Sequence, residues 1–473
     1  MLFLPFIAFC REIVSTRKPM DIMNLKILII LNSSKLNSIK YKLFTVFVFL
    51  SILIINVHAQ HTISLDDALK MALENNYAIK IAKNDAATSK NNNRMGAAGM
   101  LPSVFGSAGQ DNQIQDTKQK FLSGSENNKD GAKSSNLNAG VELGWTIFDG
   151  MKMFATRNRL KELQDIGELK MRSQIELTFS KVIKAYMDVV LAKQQLALYT
   201  ETLLRSQKRY EFAEEKFKAG KSPKTELLQA QVDLNTDRSS KIRQETILKN
   251  SKALLNQLLA IEVNTEFDVN EIIQLKTDIK LEDIQQRVVS QNVGLQIVKK
   301  NQNISLLNIK EVQAERMPSL QIKSGYNFSR SQSEAGFLQS SQSLGFHYGA
   351  GLSINLFNGY DVNRRLINNR LAFRSSEWMY KDSLGKVQSA VAQTWNNYQG
   401  SLQLLTFEKQ NIQVAEENYS IAEEQYKLGV ITSIELRNAQ INLINSKTRL
   451  LSVQNEAKMS ETELLRLSGE LLK

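Results

Sequence analysis

The side chains that most often carry catalysis or hold metal ions are scarce in this sequence. Its only histidines are His58, His61 and His347, and its only cysteine is Cys10. Residues so few do not predict the ligand cluster of a metal site or the base of a catalytic centre. The chain also contains no glycine-rich phosphate loop and no nucleophile elbow. We therefore predict that it is not an enzyme, needs no cofactor and leaves any ATP-driven step to a partner.

Two carboxylates, Glu226 and Glu435, occupy the same place in a stretch that occurs twice. The copies run from Tyr210 to Leu234 and from Tyr419 to Leu443, and they align without a gap. Each copy contains a helical pattern, one glycine, a short turn and a second helical pattern, which together predict an αα-hairpin. Both glutamates fall in the first turn of the second helix, where a carboxylate interacts favourably with the helix dipole.

The tips of these two predicted hairpins are small and exposed. Each tip glycine is expected to end its helix in a left-handed conformation, which glycine adopts without steric cost. The tip residues are also candidates for contact with a partner protein, namely Ala219, Gly220 and Lys221 in the first copy and Leu428, Gly429 and Val430 in the second.

Very long helices lead to and from these tips. The pattern predicts helices at 151–218 and 224–259 around a tip at 219–223, and at 361–427 and 433–467 around a tip at 428–432. A helix of this kind extends for ~100 Å. Since its apolar stripe is narrow, it must be packed against other helices to be stable.

The duplication extends beyond the hairpins. Leu65, Asp67 and Asn76 match Leu281, Asp283 and Asn292, and Pro102 matches Pro318. We therefore divide the chain into a leader at 1–59, a first repeat at 60–262, a linker at 263–280 and a second repeat at 281–473.

After each matched proline the hydrophobic period changes from helical to alternating. The alternation predicts strands at about 102–110 and 136–147, and at about 319–330 and 344–357. Apolar residues on one face, with polar residues and glycine on the other, are typical of an outer-membrane β-barrel. A strand pair of a soluble sandwich would alternate in the same way, but no further strands are available for a second sheet.

Two strands in each repeat give four in each chain. Four strands cannot close a barrel, and an open strand edge cannot lie in lipid. The barrel must therefore be assembled from several chains. A dimer would supply eight strands and a trimer twelve, and the strand count does not choose between them.

The charge and the N-terminal segment agree with a protein of the cell envelope. The net charge of +12 is spread evenly and forms no basic stripe with interleaved aromatic residues, so no nucleic-acid binding is predicted. An apolar run from Leu43 to Val57 follows Lys40 and Lys42 and ends near Ala59, which is the pattern of a signal peptide cleaved between Ala59 and Gln60. A membrane anchor is the alternative, but 15 residues are fewer than the roughly 20 that a span needs.

The complete order of features resembles the TolC family of outer-membrane efflux proteins. The features are a helix, a Leu101-Pro102 or Met317-Pro318 break, two strands, an IFDG or LFNG turn, a very long helix and a glycine-tipped return, all duplicated. The resemblance implies an α+β membrane protein: a homotrimer with a twelve-stranded outer-membrane β-barrel, continued by an α-helical barrel in the periplasm. It also implies an exit duct of a tripartite efflux pump or type I secretion system. The implied partners are a periplasmic adaptor, an inner-membrane transporter and outer-membrane lipid.

The resemblance further implies a constriction at the periplasmic tips. The positions that match the family's gating carboxylates are Glu435 and Asn438, the latter neutral where an acidic residue is typical, and Glu226 is expected near the same region. Ile431 stands where the best-known member has a latching arginine. The alternative for Glu226 and Glu435 is a purely structural role at the start of a helix.

Two other functions remain to be compared with the duct. A trimeric coiled-coil adhesin or envelope stalk would carry its membrane anchor at one end of the chain, whereas here strand pairs interrupt the helices twice. A soluble enzyme has the least support. The sequence does not identify the transported substrate.

Overall fold

The computed structural model describes residues 62–472 except 273, 277 and 336, so the predicted signal peptide at 1–59 lies outside the described residues. The first repeat contains β1 (Thr62–Ile63), α1 (Leu65–Asn75), α2 (Tyr77–Asn92), β2 (Ser103–Lys120), β3 (Glu126–Asp149), α3 (Lys152–Lys218) and α4 (Lys224–Leu259). The linker and second repeat contain β4 (Asp268–Val269), α5 (Leu281–Gln291), α6 (Val293–Ala314), β5 (Ser319–Ser333), β6 (Ser340–Ser353), α7 (Asp361–Lys427) and α8 (Ser433–Leu467).

Matched asparagines organise the same corner of each repeat. Asn76 ends α1 and caps α2 by accepting a hydrogen bond from the backbone N–H of Ala78 at 2.9 Å. Its Nδ2 donates to the carbonyl of Leu258, near the end of α4, at 2.8 Å. Asn292 likewise caps α6 and donates to the carbonyl of Leu467, at the end of α8, at 2.9 Å. The two repeats therefore share side-chain contacts as well as element order.

The four long helices lie side by side in the order α4, α3, α8, α7. Each of α3 and α7 has 67 residues and packs along its own return helix, and the two hairpins meet where α8 contacts α3. A buried core between the middle of α3 and the end of α4 includes Val182, Tyr186, Leu255 and Leu259. Within the described residues, no helix combines the length and the apolar character that crossing a membrane requires.

The strands of both repeats form one antiparallel sheet in the order β2, β3, β5, β6. Its register places Val141, Tyr326 and Phe346 in one cross-strand row. The next row contains Glu142, Gly325 and His347, and the side chains of Glu142 and His347 point to the opposite face. Apolar and polar residues are thus sorted onto opposite faces, and both edge strands, β2 and β6, are open in the described chain.

The strands of the first repeat are longer than the sequence pattern predicts. β2 continues to Lys120 and β3 begins at Glu126, whereas the prediction covered only about 102–110 and 136–147. The added residues are polar on both faces except for Ile114 and Ala132, so they carry no alternating apolar signal. Their backbones nevertheless stay paired across a register shift between Gln115 and Thr117.

The last strand, in contrast, ends earlier than the predicted 344–357. The pairing of β6 with β5 stops at Ser353, opposite Ser319. The residue before Ser319 is Pro318, which has no backbone N–H to continue the ladder. Residues 354–357 therefore lie outside the sheet.

The predicted linker at 263–280 is tied to the helices. β4 within it pairs in parallel with β1. Lys193 of α3 binds Asp268 at 2.6 Å and Glu271 at 2.9 Å, and the hydroxyl of Tyr186 donates to the carbonyl of Ile63 at 3.0 Å. The start and the middle of the described chain are thereby joined to the same helix.

Candidate functional site at the hairpin tips

Each hairpin tip is closed by backbone hydrogen bonds around a left-handed glycine. Gly220 has φ +69° and donates to the carbonyl of Phe217 at 2.9 Å, while Lys221 donates to that of Lys216 at 2.8 Å. The same pair of bonds surrounds Gly429, which has φ +77°. This is the Schellman geometry, and it confirms the predicted glycine caps.

The side chains around both glycines project into solvent. Leu428 and Val430 are 79% and 69% exposed, and Ala219 and Lys221 are also exposed. Two large apolar side chains at the end of a hairpin have no covering partner within the described chain, so the second tip offers the more apolar surface.

Glu435 forms a capping box at the start of α8. Its Oε2 accepts from the backbone N–H of Thr432 at 2.7 Å and from the Thr432 hydroxyl at 2.9 Å, while its own N–H donates to that hydroxyl at 3.3 Å. These bonds from the Thr432 backbone and hydroxyl lower the pKa of the Glu435 carboxyl. Glu435 is therefore an exposed anion whose position is fixed by its own helix start.

Glu226 is held differently, by the other hairpin. Its Oε1 accepts a hydrogen bond from the hydroxyl of Tyr426 at 2.9 Å. The Tyr426 ring packs edge-to-face on Phe212 of α3, with centroids 5.5 Å apart, and the ammonium group of Lys216 lies 4.5 Å from the Tyr426 ring centre. Burial and the hydrogen bond to Glu226 raise the pKa of Tyr426, so it stays a neutral donor.

Asn438 lies one turn beyond Glu435 and is exposed. Its side chain makes no hydrogen bond with any described residue. Glu226, Glu435 and Asn438 do not hydrogen-bond to one another within the chain. Ile431, at the place of the family's latching arginine, packs beside the buried Tyr419, Ala422 and Tyr426 cluster. The side chain that crosses between the hairpins here is thus a tyrosine.

A buried group of charges joins the hairpins farther from the tips. Arg209 of α3 binds Asp233 of α4 at 2.6 Å, and their side chains are only 3% and 11% exposed. Arg437 of α8 donates a hydrogen bond to each carboxylate oxygen of Asp237, at 2.7 and 2.8 Å. Gln440 lies between the two arginines and accepts from Arg437 at 3.3 Å. This charged seam links three helices.

Burial acts on the two arginines in different ways. It is the main cause that lowers the pKa of Arg209, against the opposing charge of Asp233. Burial also acts to lower the pKa of Arg437, but the hydrogen bonds and charge of Asp237 outweigh it and raise that pKa. Sequence reasoning missed this seam. The available signal was that Asp233 and Asp237 follow Ala230 at the spacing of the buried face of α4.

The described residues contain no group of three His, Cys, Asp or Glu side chains placed to hold a metal ion. The chemistry that the tips can perform is therefore electrostatic: fixed carboxylates at the helix starts, and a hydrogen bond that joins two long hairpins.

Solved structures with the same fold are outer-membrane channels. The Campylobacter jejuni CmeC outer membrane channel aligns with a TM-score of 0.72 at 16% identity, over 86% of each chain. CusC aligns with a TM-score of 0.71 at 17% identity, over 86% of this chain and 92% of its own. The open state of the Neisseria gonorrhoeae MtrE outer membrane channel aligns with a TM-score of 0.68 at 13% identity, over 86% of this chain and 89% of its own.

Curated relatives agree with these structures. Outer membrane protein TolC of Vibrio cholerae is 20% identical over 342 residues, which are 72% of this chain and 78% of the relative. Outer membrane efflux protein BepC of Brucella suis is 19% identical over 337 residues, 70% of this chain and 72% of the relative. The predicted resemblance to the TolC family is confirmed, and the channel is favoured over the adhesin.

The family profile described as "Outer membrane efflux protein" matches residues 68–260 and 285–470, which cover both repeats. The members of this family are channel proteins. The chain belongs to the outer membrane efflux protein family, and it is an efflux channel of the outer membrane with a periplasmic extension.

Proposed function

We propose that three copies of this chain form one duct, with a twelve-stranded β-barrel in the outer membrane and an α-helical barrel that continues it through the periplasm. The observation that carries the proposal is that both layers of the chain are open at both sides. The sheet ends in the unpaired edges of β2 and β6, and away from the tips the row of helices ends in α4 and α7. Ring closure would pair β2 with β6, and α4 with α7, of neighbouring copies.

The outer faces of the two end helices support this arrangement. Both carry exposed apolar side chains at spacings of three, four or seven residues, as expected for a helix that packs against a neighbour. They include Leu228 and Val232 on α4, and on α7 the pair Leu371 and Trp378 and the series Leu404, Phe407, Val414 and Ile421.

We place the gate of the duct at the hairpin tips. Three copies of Glu435 around a common axis would form an acidic ring that favours cations, with Asn438 as a neutral ring one helical turn away. Glu226 would act through its hydrogen bond with Tyr426, which holds the second hairpin against the first. Opening the gate requires this bond to break.

The exposed tips are the proposed contacts for a periplasmic adaptor, which would connect the duct to an inner-membrane transporter. Ala219, Gly220 and Lys221 at one tip and Leu428, Gly429 and Val430 at the other would form this surface. The exposed apolar pair Leu428 and Val430 supports a protein partner, because covering apolar side chains with a protein surface lowers the free energy.

Native mass spectrometry and planar-bilayer recording on the same preparation test the duct. We expect trimers that conduct ions. Intact trimers that never conduct, or a stable dimer that does, would contradict the proposal.

Photo-cross-linking from the tips tests the partner in cells. A cross-linking residue at Leu428 or Val430 should capture a periplasmic protein that a residue at Lys181, exposed in the middle of α3, does not. Capture of the same proteins from all three positions would argue against a specific adaptor surface.

A further inference from the structure

A cleft of about 330 Å³ opens where the two hairpins meet, next to the charged seam. Its lining side chains come from α3, α7 and α8. They are the aromatic residues Phe212, Tyr419 and Tyr426, the cations Arg205, Lys208, Arg209 and Lys427, and Glu423, Leu436 and Gln440. The volume lies at the lower end of the roughly 300–1,000 Å³ range typical of small-molecule sites.

The positive charge of this cleft is not fully compensated. Three of its cations each have one carboxylate partner: Arg205 binds Glu201, Arg209 binds Asp233, and Lys427 lies 3.7 Å from Glu423. The fourth cation, Lys208, is exposed, and its ammonium group makes no ion pair or hydrogen bond with any described residue. One positive charge therefore remains in excess at the mouth of the cleft.

Hydrogen-bond donors in the wall of the cleft are also unsatisfied. The Nη1 atom of Arg205 and the Nε atom of Arg209 are buried, and neither has an acceptor among the described residues. Buried donors without acceptors are costly, and they are uncommon in folded proteins. Both atoms belong to side chains that line the same cleft.

The walls of the cleft are suited to a flat apolar group. Phe212 is half-buried, while Tyr419 and Tyr426 are only 6% and 3% exposed and form the base of the wall. The guanidinium carbon of Arg205 lies 4.3 Å from the centre of the Tyr419 ring. Aromatic rings and a stacked guanidinium contact planar groups favourably, while a carboxylate would pair with the excess cation.

We propose that this cleft binds a small aromatic monoanion, with the carboxylate held by Lys208 at the mouth and the ring packed against the aromatic wall, chiefly Phe212. Because the cleft is lined by both hairpins, the bound ligand stabilises the arrangement in which they are packed together. The binding itself is independent of the proposed duct. Its effect on opening rests on that function.

Equilibrium dialysis of 2-naphthoate against the full chain in lipid nanodiscs tests the binding. We expect saturable uptake of one molecule per chain. Lys208→Gln should weaken the affinity roughly tenfold, since a hydrogen bond to a charged group is lost, and Lys208→Arg should restore it. Lys181→Gln is the matched control, because Lys181 is also exposed on α3, also lacks an ion pair and lies outside the cleft.

The proposal is overturned if no saturable uptake occurs, if Lys208→Gln binds as tightly as the wild type, or if neutral 2-naphthol binds as well as 2-naphthoate. In planar bilayers, 2-naphthoate on the tip side should reduce conductance in the wild type but not in Lys208→Gln. If the chain does not conduct but still takes up 2-naphthoate, the duct fails and the binding site stands.

Discussion

The hydroxyl of Tyr426, at the end of one long helix, donates a hydrogen bond to the carboxylate of Glu226 at the start of another, over 2.9 Å and across 200 residues of sequence. It connects the two hairpins within one turn of both tips. Since one partner is charged and the other is buried, breaking this bond costs more than breaking an average surface contact.

Tyr426→Phe should therefore loosen the tips while leaving the ring packing on Phe212 in place. We expect a higher frequency of spontaneous opening in planar-bilayer recordings, because the closed arrangement loses roughly 1.5–3 kcal/mol. Tyr210→Phe is the control, because it also removes a tyrosine hydroxyl, but one that makes no hydrogen bond with a described residue. Tyr210 is the residue of the first copy that matches Tyr419. Equal opening frequencies in both variants would exclude Tyr426 as a hairpin tie.

Glu435→Gln separates the charge of this side chain from its capping role. Glutamine can still accept a hydrogen bond at the helix start, so α8 should begin at the same residue, but the proposed acidic ring is lost. We expect the preference for cations, measured by reversal potentials in a salt gradient, to fall. The Glu435→Ala variant loses the cap as well and should also leak more. Unchanged selectivity in both variants would remove Glu435 from the pore.

The pH dependence of selectivity should follow the same carboxylate. Hydrogen bonds from Thr432 lower the pKa of Glu435, so the ionised, capped form is fully present above the ordinary value of 4.5 and is lost only as pH falls below it. Cation preference should accordingly decline as the pH falls through the pKa of the Glu435 carboxyl. In Thr432→Val, which lacks the hydroxyl donor, the decline should begin at a higher pH. A midpoint in Thr432→Val that is no higher than the wild-type midpoint would contradict the assignment.

Asp237→Asn should strongly destabilise the helical region. The change leaves Arg437, only 14% exposed, with only its longer ion pair to Asp233 at 4.0 Å, and breaking a buried pair typically costs roughly 3–5 kcal/mol. Thermal or chemical unfolding followed by circular dichroism would measure the loss. Glu245→Gln, in the exposed pair with Lys241 on the same helix, should cost no more than about 0.5 kcal/mol. Similar shifts for the two variants would show that the seam contributes little.

Gly429→Ala should strain the second tip without a steric clash. No atom lies within 4 Å of the added Cβ, so the cost is that of a left-handed backbone, about 1–2 kcal/mol. Gly385→Ala, in the interior of α7 with equally open surroundings, should instead stabilise by roughly 0.5–1 kcal/mol. The sign of the difference in unfolding midpoint checks the prediction, and stabilisation by both variants would contradict it.

The long helices could be predicted from the sequence because each apolar stripe ends or begins next to a residue that favours a helix end. Pro223 and Gly220 mark one tip, and Thr432 and Gly429 mark the other, so the expected ranges 224–259 and 433–467 are also those of α4 and α8. The outer parts of β2 and β3 gave no such signal, because strands that are polar on both faces lack a hydrophobic period.

The contacts of the candidate site were much less predictable than its helices. Asp233 and Asp237 resemble ordinary charges on a solvated helix face, and only the packing of α8 against α3 brings Arg437 to Asp237. The partner of Glu226 could not be found from local sequence at all, because Tyr426 lies in the other repeat. Long-range pairing of this kind depends on tertiary geometry.

The open edges of β2 and β6 have a consequence for biogenesis. A newly exported chain that folds its own sheet still presents two rows of unpaired backbone N–H and C=O groups, which can pair with any extended strand they meet. The edge strands must therefore pair with other copies of the chain before they aggregate. Bilayer insertion must accompany or follow closure of the oligomer, since lipid cannot form hydrogen bonds with those backbone groups. The slow step in the biogenesis of this channel is thus expected to be the association of chains, with a rate that rises with their concentration in the envelope.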